Sequence, residues 1–295
     1  MKIIHLKNKA IDFKRWDDVI LQSHNQLTYA FSWYLNVVSP DWEALVTKDY
    51  EFLMPLPVKS RYKIPYLIQP ILTQQLGIFS KNEITERIVR EFVKKIPYFS
   101  YELAFNEFNF HEKGLVFPNF ILNLNQDYKD IYSSFSENTQ RNIKKASKLN
   151  LTVEENLSSE TFISFYFSVD KHYLSPQQPI LERLINNGLS EKALRLFGVF
   201  SSDKTLIAAL CLLETGNRII YLLPISNTEG KSSFAMFFLV NYIISINASK
   251  NKVIDFEGSR IEGVARVYIG FGAKYHPYYI LKQFRPTFLI RKIKS

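Results

Sequence analysis

Residues 253–279 read VIDFEGSRIEGVARVYIGFGAKYHPYY. Val253, Ile254 and Phe256 are apolar and β-prone, so the stretch opens as a strand expected over 253–257. Asp255 and Glu257 alternate with them, and side chains two apart on a strand share a face. Gly258 then ends the run. It gives either a break or a point where a substrate comes close to the main chain. A short helix is expected over 261–269, carrying Glu262, Arg266 and Tyr268. Gly270 and Gly272 stop it before a last strand, YYILKQ. Two readings of the paired acids are open. They deprotonate or bind an ammonium, or they form a structural ion pair around Arg260 or Arg266.

Working backward from this stretch, the second half of the chain follows a regular order. LTVEEN is a strand. SETFISFYFSVDKHY and PILERLINNGL are helices, the second with Pro179 at its start and Gly188 near its end. LRLFGVFSS, TLIAALCLLET and RIIYLLPIS are strands joined by SSDK and TGN turns. A helix over 233–248 is apolar nearly all round and belongs against a sheet. The first half has a coarser version of the same pattern: strand KIIHLK, two helices, strands within WEALVTKDYEFLMPLPVK and YLIQPIL, helix NEITERIVREFVKKI, and strands FSYELAFN and FILNLN. The fold class is therefore α/β with mixed sheets, in two units expected at 1–125 and 126–295.

Residues 127–149 open the second unit as a basic helix. At about 100° per residue, Ile131, Phe135, Ile143 and Ala146 fall on one face and Arg141, Lys144, Lys145 and Lys148 on the other. Such a stripe is a solvated surface or a ridge for phosphate. The chain carries a net charge of +9, which suits a phosphate-bearing or membrane-surface partner as well as a plain basic surface.

Three segments resemble the Gcn5-related N-acyltransferase (GNAT) superfamily, and the whole chain resembles its tandem form, the Fem peptidyltransferases. These are NTQRNIKKASKLNLTVEE, DFEGSRIEGVARVYIGFGAKY and YLIQPILTQQLGIFS. The resemblance implies an N-acyltransferase that moves an acetyl, acyl or aminoacyl group from acyl-CoA or aminoacyl-tRNA onto an amine, such as that of a cell-wall precursor. It also implies a donor loop of the type Q/R-x-x-G-x-G/A before the helix that follows the fourth strand. Asn227, Gly230, Lys231 and Ser232 stand at that place. Gly230 matches the pattern; Asn227 and Ser232 depart from it, and an ordinary capped turn is the competing reading. Tyr268 matches the tyrosine of Y-x-x-x-G and would protonate the leaving group, unless it simply packs under the sheet.

The implied chemistry is direct attack in a ternary complex. Glu257, with Asp255 beside it, would take the proton from the amine. Main-chain N–H groups near Leu222–Ile225 and Val253–Asp255 would hold the oxyanion in a gap between strands. Gln69, Gln74, Gln75, Arg141, Lys145 and Arg260 are candidates to contact the acceptor. Direct attack needs no nucleophile, and the single cysteine, Cys211, lies in an apolar run that marks it as core. The histidines have no ligand spacing, so no metal is expected. Neither G-x-S-x-G nor G-x-G-x-x-G occurs. The opening MKIIHLKNKAIDF is too polar for a secretory leader and no apolar run is long enough to span a bilayer, so a cytoplasmic setting is expected. The alternatives to an enzyme are a non-catalytic tandem module that binds RNA or a nucleotide-linked glycan through the basic helix, and a peripheral membrane role with RKIKS, 291–295, as anchor.

Overall fold

The computed structural model describes residues 1–169 and 178–284. By internal contact the chain divides into two compact units, one of Met1–Phe117 with the return from Pro277, the other of Pro118–His276.

In the first unit, β1 (Ile3–Leu6), β2 (Glu43–Thr47) and β3 (Leu53–Leu56) form an antiparallel sheet in that order. Helix α1 (Phe13–Gln22) starts where Asp12 accepts the Arg15 N–H at 3.0 Å. It is followed by α2 (Ser32–Val38). Strands β4 (Val58–Arg61), β5 (Ile64–Ile68), β6 (Tyr101–Phe105) and β7 (Leu115–Phe117) belong to a second sheet, with α3 (Glu86–Lys94) between β5 and β6. The expected helix 82–96 is shortened to α3 because Thr85 caps it.

The second unit has one sheet. Its strands are β8 (Phe120–Asn123), β9 (Thr152–Glu155), β10 (Leu194–Phe200), β11 (Leu206–Thr215), β12 (Arg218–Ser226), β13 (Val253–Asp255) and β14 (Lys274–Tyr275), in the spatial order β14-β8-β13-β12-β11-β10-β9. The pair β12–β13 is parallel, and the other pairs of this sheet are antiparallel. The crossover between them runs through α8 (Thr228–Ser232) and α9 (Ala235–Asn247), joined at Phe234 with φ of 58°. As its composition requires, α9 buries Leu239, Val240, Ile243 and Ile244 in the core of this unit.

The expected helix 127–149 is two helices, α4 (Tyr128–Ser133) and α5 (Glu137–Ala146). Ser136 breaks it: its hydroxyl accepts the Thr139 N–H at 3.3 Å and caps α5. The face assignment holds across the break, with Ile131, Phe135, Ile143 and Ala146 all buried. Helices α6 (Ser159–Ser168) and α7 (Gln178–Ser190) precede β10, and α10 (Glu262–Gly270) precedes β14. The end of the expected helix 159–173 and the RKIKS tail lie outside the described residues.

Strand pairing departs from the expected boundary at 125/126 in two places. Strand β8 pairs with β13 and β14 of the second unit. The last strand, β15 (Tyr278–Gln283), returns to the first unit between β6 and β7, giving the order β4-β5-β6-β15-β7. Partners of this kind are non-local, and neither strand's own residues specify them.

Candidate active site

The parallel pair β12–β13 is short. Arg218–Ile220 face Val253–Asp255, and from Tyr221 to Ser226 β12 pairs only with β11. A gap between the two strands therefore opens after Asp255. Val253–Asp255, expected to border the gap, are paired across it instead. On β11 the register shifts between Cys211 and Leu212, so that Leu222 becomes an extra residue on β12 beside the gap.

Phe256, Glu257 and Tyr268 gather at this point. Phe256 is buried and its ring stacks on that of Tyr268 at 4.9 Å. Tyr221 meets Tyr268 edge-on at 6.0 Å, and Phe120 lies 6.2 Å away. Tyr268 thus belongs to an aromatic cluster under the sheet, one of the two placements its sequence allowed. Burial pushes its phenol well above the ordinary value, and the negative charge of Glu257 pushes it further. Burial also raises the Tyr221 phenol, with a contribution from Tyr268, and burial with the Glu257 charge raises the Cys211 thiol. Glu257 is therefore electrostatically coupled to Tyr268, as the sequence reading expected. Cys211 is fully buried and held as a thiol, unsuited to nucleophilic work.

Strand alternation stops before Glu257. Its φ is 54°, a left-handed value that takes it out of the strand, so Asp255 and Glu257 have different environments. Glu257 is half-buried, while Asp255 is 1% exposed. One Asp255 oxygen accepts from Arg218 Nη1 at 2.6 Å, and the other accepts the Glu257 main-chain N–H at 2.9 Å. Asp255 is thus the structural member of the two acids. Its partner is Arg218, on the adjacent parallel strand, whereas Arg266 pairs with Glu262 one helical turn away. Arg260 is exposed. Arg218 is the residue the sequence reading missed. Only the β12–β13 register brings it to Asp255, although its place just after the TGN turn, at the mouth of a strand, was visible.

Gly258 is required by packing. A Cβ there would fall inside the carbonyl oxygen of Pro118, so it is the protein's own main chain, rather than a substrate, that approaches. The glycine pair has two separate causes. A Cβ on Gly270 would strike the Thr139 hydroxyl at the start of α5, and Gly272 takes φ of 81°.

At the expected donor loop, Asn227 caps α8 by accepting the Gly230 N–H at 2.8 Å. Gly230 is buried with its Cα against the Ile207 carbonyl, where no Cβ fits. The N–H that would cradle a phosphate is already used, and the glycine serves helix–strand contact. Lys231 and Ser232 are exposed.

On α5, Arg141, Lys144 and Lys145, with Lys148 just beyond, line a surface hollow of about 480 Å³ together with Glu137 and Gln140. Arg141 donates to Asn138 at 2.6 Å, and Lys145 lies 5.4 Å from the Phe234 ring. In the first unit the candidate glutamines are internal ties. Gln69 accepts from the Ala104 N–H and donates to the Thr73 carbonyl. Gln75 is 1% exposed and donates to Gln74 at 2.6 Å. Among the described residues no group of side chains could hold a metal ion, and no helix is long and apolar enough to cross a membrane.

No protein-family model matches the chain, and no curated protein matches it. Its fold is that of Fem-like, tandem GNAT proteins. A crystal structure of FemX superposes with a TM-score of 0.65 at 12% identity, covering 95% of this chain and 98% of that one. The C-terminal domain of a putative lysylphosphatidylglycerol synthetase from Agrobacterium fabrum gives 0.57 at 10% identity, covering 93% and 92%. A tandem GNAT protein from the clavulanic acid biosynthesis pathway gives 0.53 at 9%, covering 95% and 98%.

Proposed function

We propose that the protein is an N-acyltransferase that moves an aminoacyl group from an aminoacyl-tRNA ester onto an amine. The observation that carries this reading is the coupling of Glu257 to Tyr268 at the end of β13, with Glu257 in a left-handed conformation that ordinary strand residues avoid. The amine attacks the ester carbonyl. Glu257, directly or through a water, takes the proton that the ammonium loses. Tyr268, protonated because it is buried, gives its proton to the departing oxygen. Asp255 and Arg218 hold the main chain of Glu257 and take no part in the chemistry.

Two features favour an ester donor over a coenzyme A thioester. The Gly230 N–H is spent on Asn227, which leaves the α8 turn a poor pyrophosphate cradle. A phenol raised well above its usual value also matches a basic alkoxide leaving group better than a thiolate, whose thiol ionises near about 8.5. The basic face of α5, with Arg141 and Lys145, supplies phosphate contacts for the tRNA. An amine of a cell-wall precursor is the acceptor class that the Fem-like fold suggests.

A second reading, a non-catalytic module that grips RNA through α5, is favoured by the ring packing around Tyr268. Incubation with a charged tRNA pool, acyl-CoAs and a panel of cell-wall precursor amines, read by mass spectrometry, decides between them. The expected outcome is product from charged tRNA only, lost in Glu257→Gln and reduced in Tyr268→Phe. Tight tRNA binding without product from any acceptor would favour the module. Product from acyl-CoA alone would overturn the choice of donor.

A further inference from the structure

A cavity of about 530 Å³ lies at the β14 edge of the second unit's sheet, away from Glu257 and Tyr268. It exists because β14 is only two residues long. Lys274 and Tyr275 pair with Ile121 and Phe120, and the chain upstream bends away at Gly272, which takes φ of 81°. Strand β8 continues past that pairing to Asn123.

The direction of the Asn123 main chain follows from the ladder. The Leu124 N–H bonds to Lys252 and the Phe256 N–H bonds to Phe120, so the even-numbered residues of β8 exchange hydrogen bonds with β13. The odd-numbered residues point the other way, as the bond from the His276 N–H to the Asn119 carbonyl shows. Asn123 therefore turns its N–H and C=O toward the space that β14 leaves open. The cavity wall there carries the carboxamides of Asn123, Asn125 and Gln126, the Ser134 hydroxyl, the His276 ring and Lys274. No carboxylate lines it, and Lys274 is its one fully charged side chain.

We infer that this edge binds the C-terminal end of an extended peptide, which adds as a short strand in line with β14. Position 272 in an uninterrupted β14 would pair with Asn123. A peptide's last residue set there donates its N–H to the Asn123 carbonyl, and its carboxylate accepts the Asn123 N–H. Because the added strand runs in the direction of β14, its C-terminus abuts Ala273 and Lys274, where the ammonium meets the carboxylate. The opposite direction would bring an α-ammonium against Lys274, and like charge disfavours it. The volume lies within the range of small-ligand pockets.

Binding is measured without any acyl donor, so the inference stands apart from the transfer reading. The probes are a fluorescein-labelled hexapeptide pool with free C-termini, the same pool as C-terminal amides, and a pool N-methylated at the last peptide nitrogen. Anisotropy is expected to show the free-acid pool binding at least about tenfold more tightly than either other pool. Lys274→Gln, an exposed substitution, is expected to reduce the acid-over-amide preference to less than about threefold without changing Tm. In a ¹⁵N-labelled sample the free-acid pool is expected to shift the Asn123 amide resonance. Equal binding of acid and amide, tolerance of N-methylation, or no binding by any pool would overturn the inference. Inorganic phosphate competing as well as the peptide would reduce the site to a simple anion hollow and overturn it too.

Discussion

Glu257 occupies a backbone region that costs a residue with a Cβ about 1–3 kcal/mol. The Asp255 carboxylate, bonded to its N–H, and the Arg218 guanidinium behind it maintain that conformation. Replacing the acid by Gln removes a negative charge next to Tyr268, so the phenolate becomes less costly and the Tyr268 pKa falls. Ring-carbon NMR titration should show Tyr268 ionising at lower pH in Glu257→Gln than in the parent, together with lost transfer. An unmoved titration would mean that the two groups do not share a site. Gly258→Ala is different in kind. Its Cβ would meet main chain that cannot give way, so a penalty at or above the upper end of the usual overpacking range of about 1–3 kcal/mol is expected in urea melts. A near-neutral result would show that the β13 exit and Pro118 are not in the contact described.

Among the elements, the β1–β2 ladder of the first unit carries a polar cluster centred on Glu43. Lys7 donates to one carboxylate oxygen at 2.7 Å; Tyr98 at 2.8 Å and His5 reach the other. Burial opposes ionisation of Glu43, but the hydrogen bonds from Lys7, Tyr98 and His5 outweigh it and hold the carboxyl below its ordinary value. The folded state therefore binds its proton more weakly than the unfolded chain does. This contribution to stability is full above the ordinary carboxyl value of about 4.3 and is lost as pH falls through the lowered folded value. Urea melts between about pH 6 and pH 3 should show a shallower acid decline in Glu43→Gln than in the parent. Parallel declines would assign the acid sensitivity elsewhere. Helix α5 is the element that sequence periodicity described best. Its apolar face was read correctly even though Ser136 divides the longer helix expected there. The 227–232 loop was read least well, because a glycine that packs against a carbonyl and a glycine that admits a phosphate look the same in one dimension.

At the scale of the whole molecule, the net charge of +9 is distributed so that α5 presents a solvated row of Arg141, Lys144 and Lys145 with Lys148. If tRNA binds there, its affinity falls with salt by a slope of about 0.7–0.9 per phosphate neutralised. The triple variant Arg141→Gln, Lys144→Gln, Lys148→Gln should bind tRNA more weakly and flatten that log–log slope by about 2 to 3. Lys145 is left in place because it also packs over Phe234. An unchanged slope would remove α5 from the contact surface.

Local patterning alone determined the α/β class, the tandem layout, the buried nature of α9, the two-sided character of α5 and the inert setting of Cys211, because periodicity and composition are properties of consecutive residues. It also singled out Glu257 and Tyr268. Pairing across the sheet decided the rest. Arg218 rather than Arg260 reached Asp255, Pro118 rather than a ligand required Gly258, and β8 and β15 went to sheets in units other than those their chain positions suggested. Each of these depends on register between strands far apart in the chain. Register is fixed by the sum of many side-chain contacts, so no single stretch of sequence displays it.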